Sequence, residues 1–189
     1  MVLNIFEAVH FIALALDEHF NNAPIVYKGT DGSNDFKPAL PTIYEFIVPP
    51  EDRNSDGYPT HAPAIALVVT GVNASNDMFR ANIEAHIAVT NPSTSEAETA
   101  TGNNTTGYEF KGGENYTQNA TYSDLYAYAM RLGEETLRGL LRSNLVSELT
   151  LTPPEPSLED FPYATCVVRG VISYRKSLRA VSSEIASLL

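Results

Sequence analysis

The sequence has no tryptophan, a single cysteine, and only 12 lysine and arginine residues against 23 aspartate and glutamate residues. One cysteine excludes an internal disulfide, and the position of Cys166 in an alternating segment predicts a small buried side chain rather than a nucleophile. The net charge of −11 argues against a nucleic-acid-binding surface or an anionic membrane surface, because either would require a basic face.

Long hydrophobic runs are also missing. No run approaches the roughly 18 apolar residues of a membrane-spanning helix, and Glu7 and His10 interrupt the apolar segment at the N-terminus. No basic stretch precedes that segment and no cleavage-site pattern follows it. We therefore expect no secretion signal and no membrane partner.

The motifs of common catalytic and cofactor-binding sites are absent. The sequence has no HExxH, CxxC, GxGxxG, GxxxxGK[ST] or GxSxG pattern, and its four histidines are scattered. Acidic neighbours such as Glu134 and Glu135 do not share a helix face, which favours solvated side chains over an acid–base pair. We interpret His86, beside Glu84 on a predicted strand, as a hydrogen-bonded surface histidine. A small enzyme using these two residues is the alternative, but we expect no enzyme, no cofactor and no metal.

The acidic excess is uneven along the chain. Residues 1–130 hold 16 acidic and 5 basic residues, whereas residues 131–189 hold seven of each. A surface built from the first part would repel nucleic acid rather than bind it, because negative charge lowers the affinity for phosphate.

Hydrophobic periodicity predicts one α+β domain over residues 1–189, with a small antiparallel or mixed sheet and helices packed on one face. The strand over 81–90 alternates cleanly, so its polar face is free for a partner or for water. The strand over 64–70 is continuously apolar, which predicts a central strand covered on both faces. The predicted helices span 3–20, 121–142 and 178–189, and the predicted strands span 24–28, 64–70, 81–90, 146–151 and 162–174.

The helix over 121–142 carries two adjacent apolar rows. Such a face is too wide for a lone surface helix, so we expect packing on a sheet, on a second subunit, or on both. Thr121 with Asp124 fits a capping box, and Glu134 with Arg138 fits an ion pair four residues apart. The first row is Leu125, Ala129, Leu132 and Leu140, interrupted by Thr136, and the second is Tyr126, Met130, Leu137 and Leu141.

Two segments lack a core pattern. Residues 29–63 contain six prolines, which predicts a long ordered loop with an edge strand at 42–48, either functional or packed on a partner. Residues 91–120 are rich in Asn, Thr, Ser and Gly and predict a polar arm that orders against a neighbour, with a hairpin whose tips lie at Gly102 and Gly112 as one possible form. The tyrosines between 108 and 128 either form a contact surface or pack under this arm.

The order of these features resembles a known family. An N-terminal helix and a Pro-rich loop precede a strand pair that leads into a polar arm. The segment YSDLYAYAMRLGEETLRGLLRSN is then followed, after a proline link, by YATCVVRGVISYRK. Together they are similar to the tail terminator, or tail-to-head joining, proteins of long-tailed bacteriophages. The likeness covers most of the chain, and the long segment at 29–63 departs from the family pattern.

The resemblance implies an α+β fold and a hexameric ring that ends growth of the tail tube. It implies a tail tube protein and a head-completion or neck protein as partners, with DNA passing through an acidic lumen without specific binding. Assembly would occur in the host cytoplasm and the product would be a virion component; a different neck or tail component, such as a head-completion protein or tube subunit, is the alternative. The candidates for interface or lumen are Glu84, His86, Glu96, Glu98, Tyr108, Glu109, Glu114, Tyr116, Tyr126, Arg131 and Arg138.

Overall fold

The computed structural model describes residues 4–28, 36–75, 78–90, 110–113, 116–155 and 163–175. This part of the chain forms two long helices on a five-stranded mixed sheet, so the α+β prediction is confirmed. The helices are α1 (Ile5–Asn22) and α2 (Ala120–Arg142). The strands are β1 (Ile25–Lys28), β2 (Phe36–Ala39), β3 (Thr42–Glu45), β4 (Ala64–Ser75), β5 (Met78–Thr90), β6 (Phe110–Gly113), β7 (Tyr116–Asn119), β8 (Val146–Thr152) and β9 (Tyr163–Arg175).

The main sheet has the strand order β3-β4-β5-β9-β8. The β3–β4 pair is parallel, and the other neighbouring pairs are antiparallel. Strands β1 and β2 form a separate antiparallel hairpin, as do β6 and β7. Strand β5, which is predicted to have one exposed face, therefore lies at the centre of the sheet. It pairs with β9 along its whole length.

One face of the sheet, here called the inner face, carries both helices and the core. Alternation along β5 and β9 sends every second side chain to this face, as the sequence predicted. Cys166 is buried there as a small side chain, and its Sγ donates to the Ala129 carbonyl of α2 at 3.2 Å. The buried inner-face side chains of these two strands are Ala81, Ile83, Ala85, Ile87, Val89, Ala164, Cys166, Val168 and Ile172.

Helix α1 begins with a capping box. The Asn4 side chain accepts from the Glu7 amide at 2.9 Å, and the Glu7 carboxylate accepts from the Asn4 amide at 3.2 Å. These bonds satisfy backbone donors at the helix start. The sequence predicts an apolar stripe of Ile5, Val9, Ile12, Leu16 and Phe20 with Phe6 and Ala13 beside it, and the structure buries Val9, Ile12, Ala13, Leu16 and Phe20 of these, together with Ala8. Ile5 is only partly buried, and Phe6 is 66% exposed.

The first apolar row of α2 is buried against the sheet as predicted, but the second row is only partly covered. Thr136 does not interrupt the buried face, because it is fully buried and its hydroxyl donates to the Leu132 carbonyl at 2.8 Å. In the second row Leu141 remains 53% exposed. The predicted Glu134–Arg138 ion pair was wrong: Arg138 pairs with Glu135 instead, because Glu135 lies on the flank that faces α1.

The two helices meet closely at a buried histidine. Gly139 of α2 has no side chain, so α1 can approach closely. A Cβ at this position would lie 2.7 Å from Leu16 Cδ2 of α1. His19 is buried there, with Nε2 3.1 Å from a Glu135 carboxylate oxygen and Nδ1 3.0 Å from the Arg142 guanidinium. Arginine only donates, so Nδ1 accepts and Nε2 carries the proton. One neutral tautomer of His19 thus links the two helices.

The prediction of a single loop over 29–63 was wrong in part. Strand β2 and the predicted edge strand β3 lie within it, and a short 3₁₀ turn spans Pro50–Asp52. Residues 46–63, here called the strap, connect β3 to the parallel strand β4, and a parallel pair always needs such a crossover. The strap packs on the other face of the chain's own sheet, the outer face, and this contact explains its order without a partner.

Several predictions lie outside the described residues. These are the helix over 178–189, the arm from 91 to 109 with its tip at Gly102, and the side chains of the proposed Thr121–Asp124 cap. The part of the arm that is described forms the β6–β7 hairpin around Gly112. Among the described helices, neither is long and apolar enough to cross a membrane.

Candidate functional site

A groove of about 290 Å³ lies on the outer face between the strap and the sheet. Small buried side chains, Ala64, Ala66 and Ala88, lie at its base on the outer face. The strap forms the opposite wall. The side chains that line the groove from the outer face are Ala64, Ala66, Val68, His86, Ala88, Thr165 and Val167, and those from the strap are Phe46, Ile47, Val48, Arg53, Tyr58 and Pro59.

The strap is held in place at its tip. The Asn54 carboxamide oxygen accepts from the backbone amides of Asp56 and Tyr58 at 3.0 and 2.9 Å, which closes a tight turn. The other end of the same amide donates to the Tyr163 hydroxyl at 3.0 Å. The rings of Tyr58 and Tyr163 stack with centroids 4.5 Å apart and planes 4° apart. These contacts fix the strap to the start of β9, so the groove is preformed.

A polar network crosses the outer face beside the groove. Because Glu84 and Arg169 are direct cross-strand partners, Arg169 Nε donates to a Glu84 oxygen at 2.9 Å. The second Glu84 oxygen lies 2.9 Å from Nε2 of His86, two residues along the same strand. Arg169 also donates to the Thr152 hydroxyl of β8 at 2.6 Å. The network therefore joins the three strands β5, β9 and β8.

The charge of this network is locally balanced. Partial burial alone would raise the pKa of Glu84, but hydrogen bonds from Arg169 and His86, with their charges, outweigh it and lower that pKa. Glu84 is therefore a carboxylate at neutral pH whose charge is offset by Arg169. It adds little to the net negative charge of the surface.

A second tyrosine lies beneath the strap. Tyr44 is buried with Ala64 and Ala66 in a small cluster that Val48 covers. Its hydroxyl has no hydrogen-bond partner among the described residues. Burial and then the negative charge of the nearby Asp52 raise the pKa of Tyr44, although Asp52 lies outside hydrogen-bond geometry. The hydroxyl is thus held as a neutral group.

A smaller cavity of about 220 Å³ adjoins the groove across β9. The two share Thr165, Cys166 and Val167, and the smaller one is also bordered by Tyr163, Arg169 and Glu155. The two cavities are therefore neighbours on either side of this part of β9.

The candidate residues predicted from the sequence do not form one site. Glu84 and His86 lie together on the outer face, and their hydrogen bond confirms the interpretation of His86 as a bonded surface histidine. Tyr126, Arg131 and Arg138 lie on α2, on the opposite side of the sheet, so these candidates belong to a different surface from Glu84 and His86. Tyr116 lies in β7, and Glu96, Glu98, Tyr108, Glu109 and Glu114 lie outside the described residues.

The sequence reasoning missed the strap residues and the role of Arg169. The alternation of β9 placed Arg169 on the polar face, but only the strand register shows that it pairs with Glu84. No feature of the sequence predicts Arg53 and Tyr58 as site residues, because a Pro-rich segment has no periodicity that indicates which side chains point towards a sheet.

The helix layer presents a different surface. Large apolar side chains remain exposed there: Phe6 (66%), Phe11 (40%) and Leu14 (51%) on α1, and Leu141 (53%) on α2. No group of three histidine, cysteine, aspartate or glutamate side chains placed to hold a metal ion occurs within the described ranges.

Comparison with known proteins gives no match to any protein-family model, and none to the curated protein sequences.

Proposed function

We propose that this chain is a structural virion protein of a long-tailed bacteriophage. In this proposal copies of the chain assemble into a hexameric ring that ends growth of the tail tube and joins the tail to the head. The observation that carries the proposal is the set of exposed apolar side chains on the helix layer. Single exposed apolar residues are common on monomers, but several on one layer favour a contact with another chain.

The two ends of the molecule differ, so a head-to-tail contact would join unlike surfaces. Helix α1 packs beside β3 at one end of the sheet, and α2 packs over β5, β9 and β8 towards the other. The second apolar row of α2 is left partly uncovered. Contact between two unlike surfaces is head-to-tail, and such contacts form closed rings when the rotation between copies closes.

The charge of the chain supports a passage for DNA. Surplus carboxylates on a channel wall would keep DNA from binding tightly. Glu84 is paired with Arg169, so the proposal assigns the lumen charge to the arm glutamates. Replacing these with glutamine should leave ring formation intact and raise the affinity of the ring for double-stranded DNA at low salt. The four positions are Glu96, Glu98, Glu109 and Glu114.

Electron microscopy and light scattering of the purified protein, with and without tail tubes, test the proposal. We expect single rings of six copies, free or bound at tube ends. A variant with Phe11→Glu and Leu14→Glu should fail to form them, because two charges would enter a dry contact. A variant with Asn21→Glu and Asn22→Glu adds the same charge at exposed polar positions of α1 and serves as the matched control.

Three results would count against this assignment. A strict monomer that does not associate with tail tubes would overturn it. Long tubes formed by the protein alone would favour a tube subunit instead. Rings that form equally well from the Phe11 and Leu14 variant would show that α1 is not the contact surface.

A further inference from the structure

The outer-face groove differs in charge from the rest of the chain. The net charge of the sequence is −11, yet no aspartate or glutamate lines the groove among the described residues. The basic side chains that line it are Arg53 and His86. The groove is thus a largely apolar surface with an arginine at its rim on an acidic protein, and this contrast limits what can bind in it.

Both rim groups are held in fixed positions. Arg53 Nε donates to the Val48 carbonyl at 2.8 Å, which keeps the guanidinium at the strap side of the groove. His86 is 48% exposed, and Nε2 is engaged by Glu84, so Nδ1 is the ring nitrogen left to meet a ligand. A guanidinium binds carboxylates through paired hydrogen bonds, and a positioned arginine loses little freedom on binding.

The size and shape of the groove fit a peptide rather than a cofactor. About 290 Å³ is at the lower end of the range for small-molecule sites and accommodates one or two side chains. The accessible apolar lining comes from Ile47, Val68 and Val167, so it would take an aliphatic or aromatic side chain. The smaller cavity adjoins the groove at Thr165, so a short segment could extend past that residue.

We propose that this groove binds a short peptide segment of a partner protein in which an apolar side chain neighbours an acidic one. The apolar side chain lies against Ile47, Val68 and Val167 and the carboxylate meets Arg53, with His86 at the far rim. The argument rests on charge complementarity and shape alone. It holds whether or not the chain forms a ring, so a failure of one proposal leaves the other standing.

A displayed library of random 12-residue peptides, selected against the full-length protein, tests this inference. We expect enrichment of peptides with an apolar residue beside aspartate or glutamate. The dissociation constant of a selected peptide, from fluorescence polarisation, should rise about tenfold with Arg53→Gln, since a charge-assisted contact is lost. Thr165→Trp should abolish binding, because Thr165 is exposed on the groove floor and a large ring would fill the space.

Arg80→Gln is the matched control, since Arg80 is an exposed arginine of the same outer face that does not line the groove. It should leave the dissociation constant unchanged, and thermal melts of all three variants should show that each is folded. The proposal is overturned if no peptide is enriched, if the enriched peptides lack the apolar–acidic pair, or if binding by folded Arg53→Gln or Thr165→Trp equals that of the wild type.

Discussion

Replacing Gly139 with alanine tests the closest contact between the two helices. Alanine is favoured over glycine in a helix interior by about 1 kcal/mol, so propensity alone predicts a more stable protein. Packing predicts the reverse. The new Cβ would lie 2.7 Å from Leu16 Cδ2 and 3.2 Å from His19 Cδ2, and both of these side chains are buried.

The size of the effect follows from weighing these two contributions. Adding a methyl group to a filled core typically destabilises by about 1–3 kcal/mol. Leu16 is fully buried. We therefore expect a net loss of about 1–2 kcal/mol of unfolding free energy, which for a chain of this length lowers the melting temperature by roughly 2–8 °C.

Gly133, on the same helix, is the informative comparison. A Cβ there would lie 2.8 Å from Leu151 Cδ1 and 3.1 Å from Cys166 Sγ. Leu151 is only partly buried and can turn away, so Gly133→Ala should change stability by less than about 0.5 kcal/mol. Ala127→Gly, at an exposed position of α2, calibrates the helix propensity and should lose about 1 kcal/mol.

Urea unfolding followed by circular dichroism measures all of these variants, at two protein concentrations so that any assembly is detected. Leu16→Val removes the δ-methyl that the new Cβ would meet, so in the double variant Gly139→Ala should cost clearly less than it does alone. If Gly139→Ala stabilises the protein, or if the two substitutions are additive, α1 and α2 do not pack as closely as described.

Three further substitutions probe the sheet. Hydrogen bonds and neighbouring positive charge lower the pKa of Glu84. Its contribution to the free energy of unfolding is therefore present above the ordinary glutamate pKa of about 4.3 and is lost as the pH falls through the lower folded-state pKa. Glu84→Gln should flatten the acid limb of a plot of urea midpoint against pH. Burial raises the pKa of Cys166 to about 12, so iodoacetamide should label it at pH 8 only at the rate of unfolding; rapid labelling of folded protein would contradict its burial. Gly170→Ala would place a Cβ 2.8 Å from Leu149 Cδ2 and against Val146, and should cost about 2 kcal/mol in the same urea assay.

The local patterns of the sequence predicted much of the core. Alternation in β5 and β9 correctly placed Ile83, Ile87 and Val168 in the core, because a strand buried on one face must alternate with a period of two. The 3.6-residue period correctly gave both helices and the first apolar row of α2. These elements depend on the spacing of apolar residues a few positions apart, which can be read directly from the sequence.

The candidate site was predicted only in part, because it depends on pairing between distant segments. Glu84 was recognised on the polar face of its strand, but Arg169 becomes its partner only through the register of β5 with β9. The strap lies within the segment 29–63, which the sequence predicts as a loop that is either functional or packed on a partner, since no periodic pattern indicates that Tyr58 stacks on Tyr163, more than 100 residues away. The Glu135–Arg138 pair likewise depends on α1, whose His19 positions Glu135.

The surface side chains of the strap can vary independently of the sheet that supports them. Backbone groups build the hydrogen-bond ladder from β3 to β8, and of the strap only the terminal residues Phe46 and Pro63 join it, so the strap's side chains do not set strand registration. The strap is held by the crossover it completes, by the tyrosine stack at its tip and by the hydrogen bonds of Arg53, Asn54 and Thr60. Exposed strap residues outside these contacts, such as Ile47, can therefore be substituted while the sheet stays constant, in the way that hypervariable loops vary on an invariant framework.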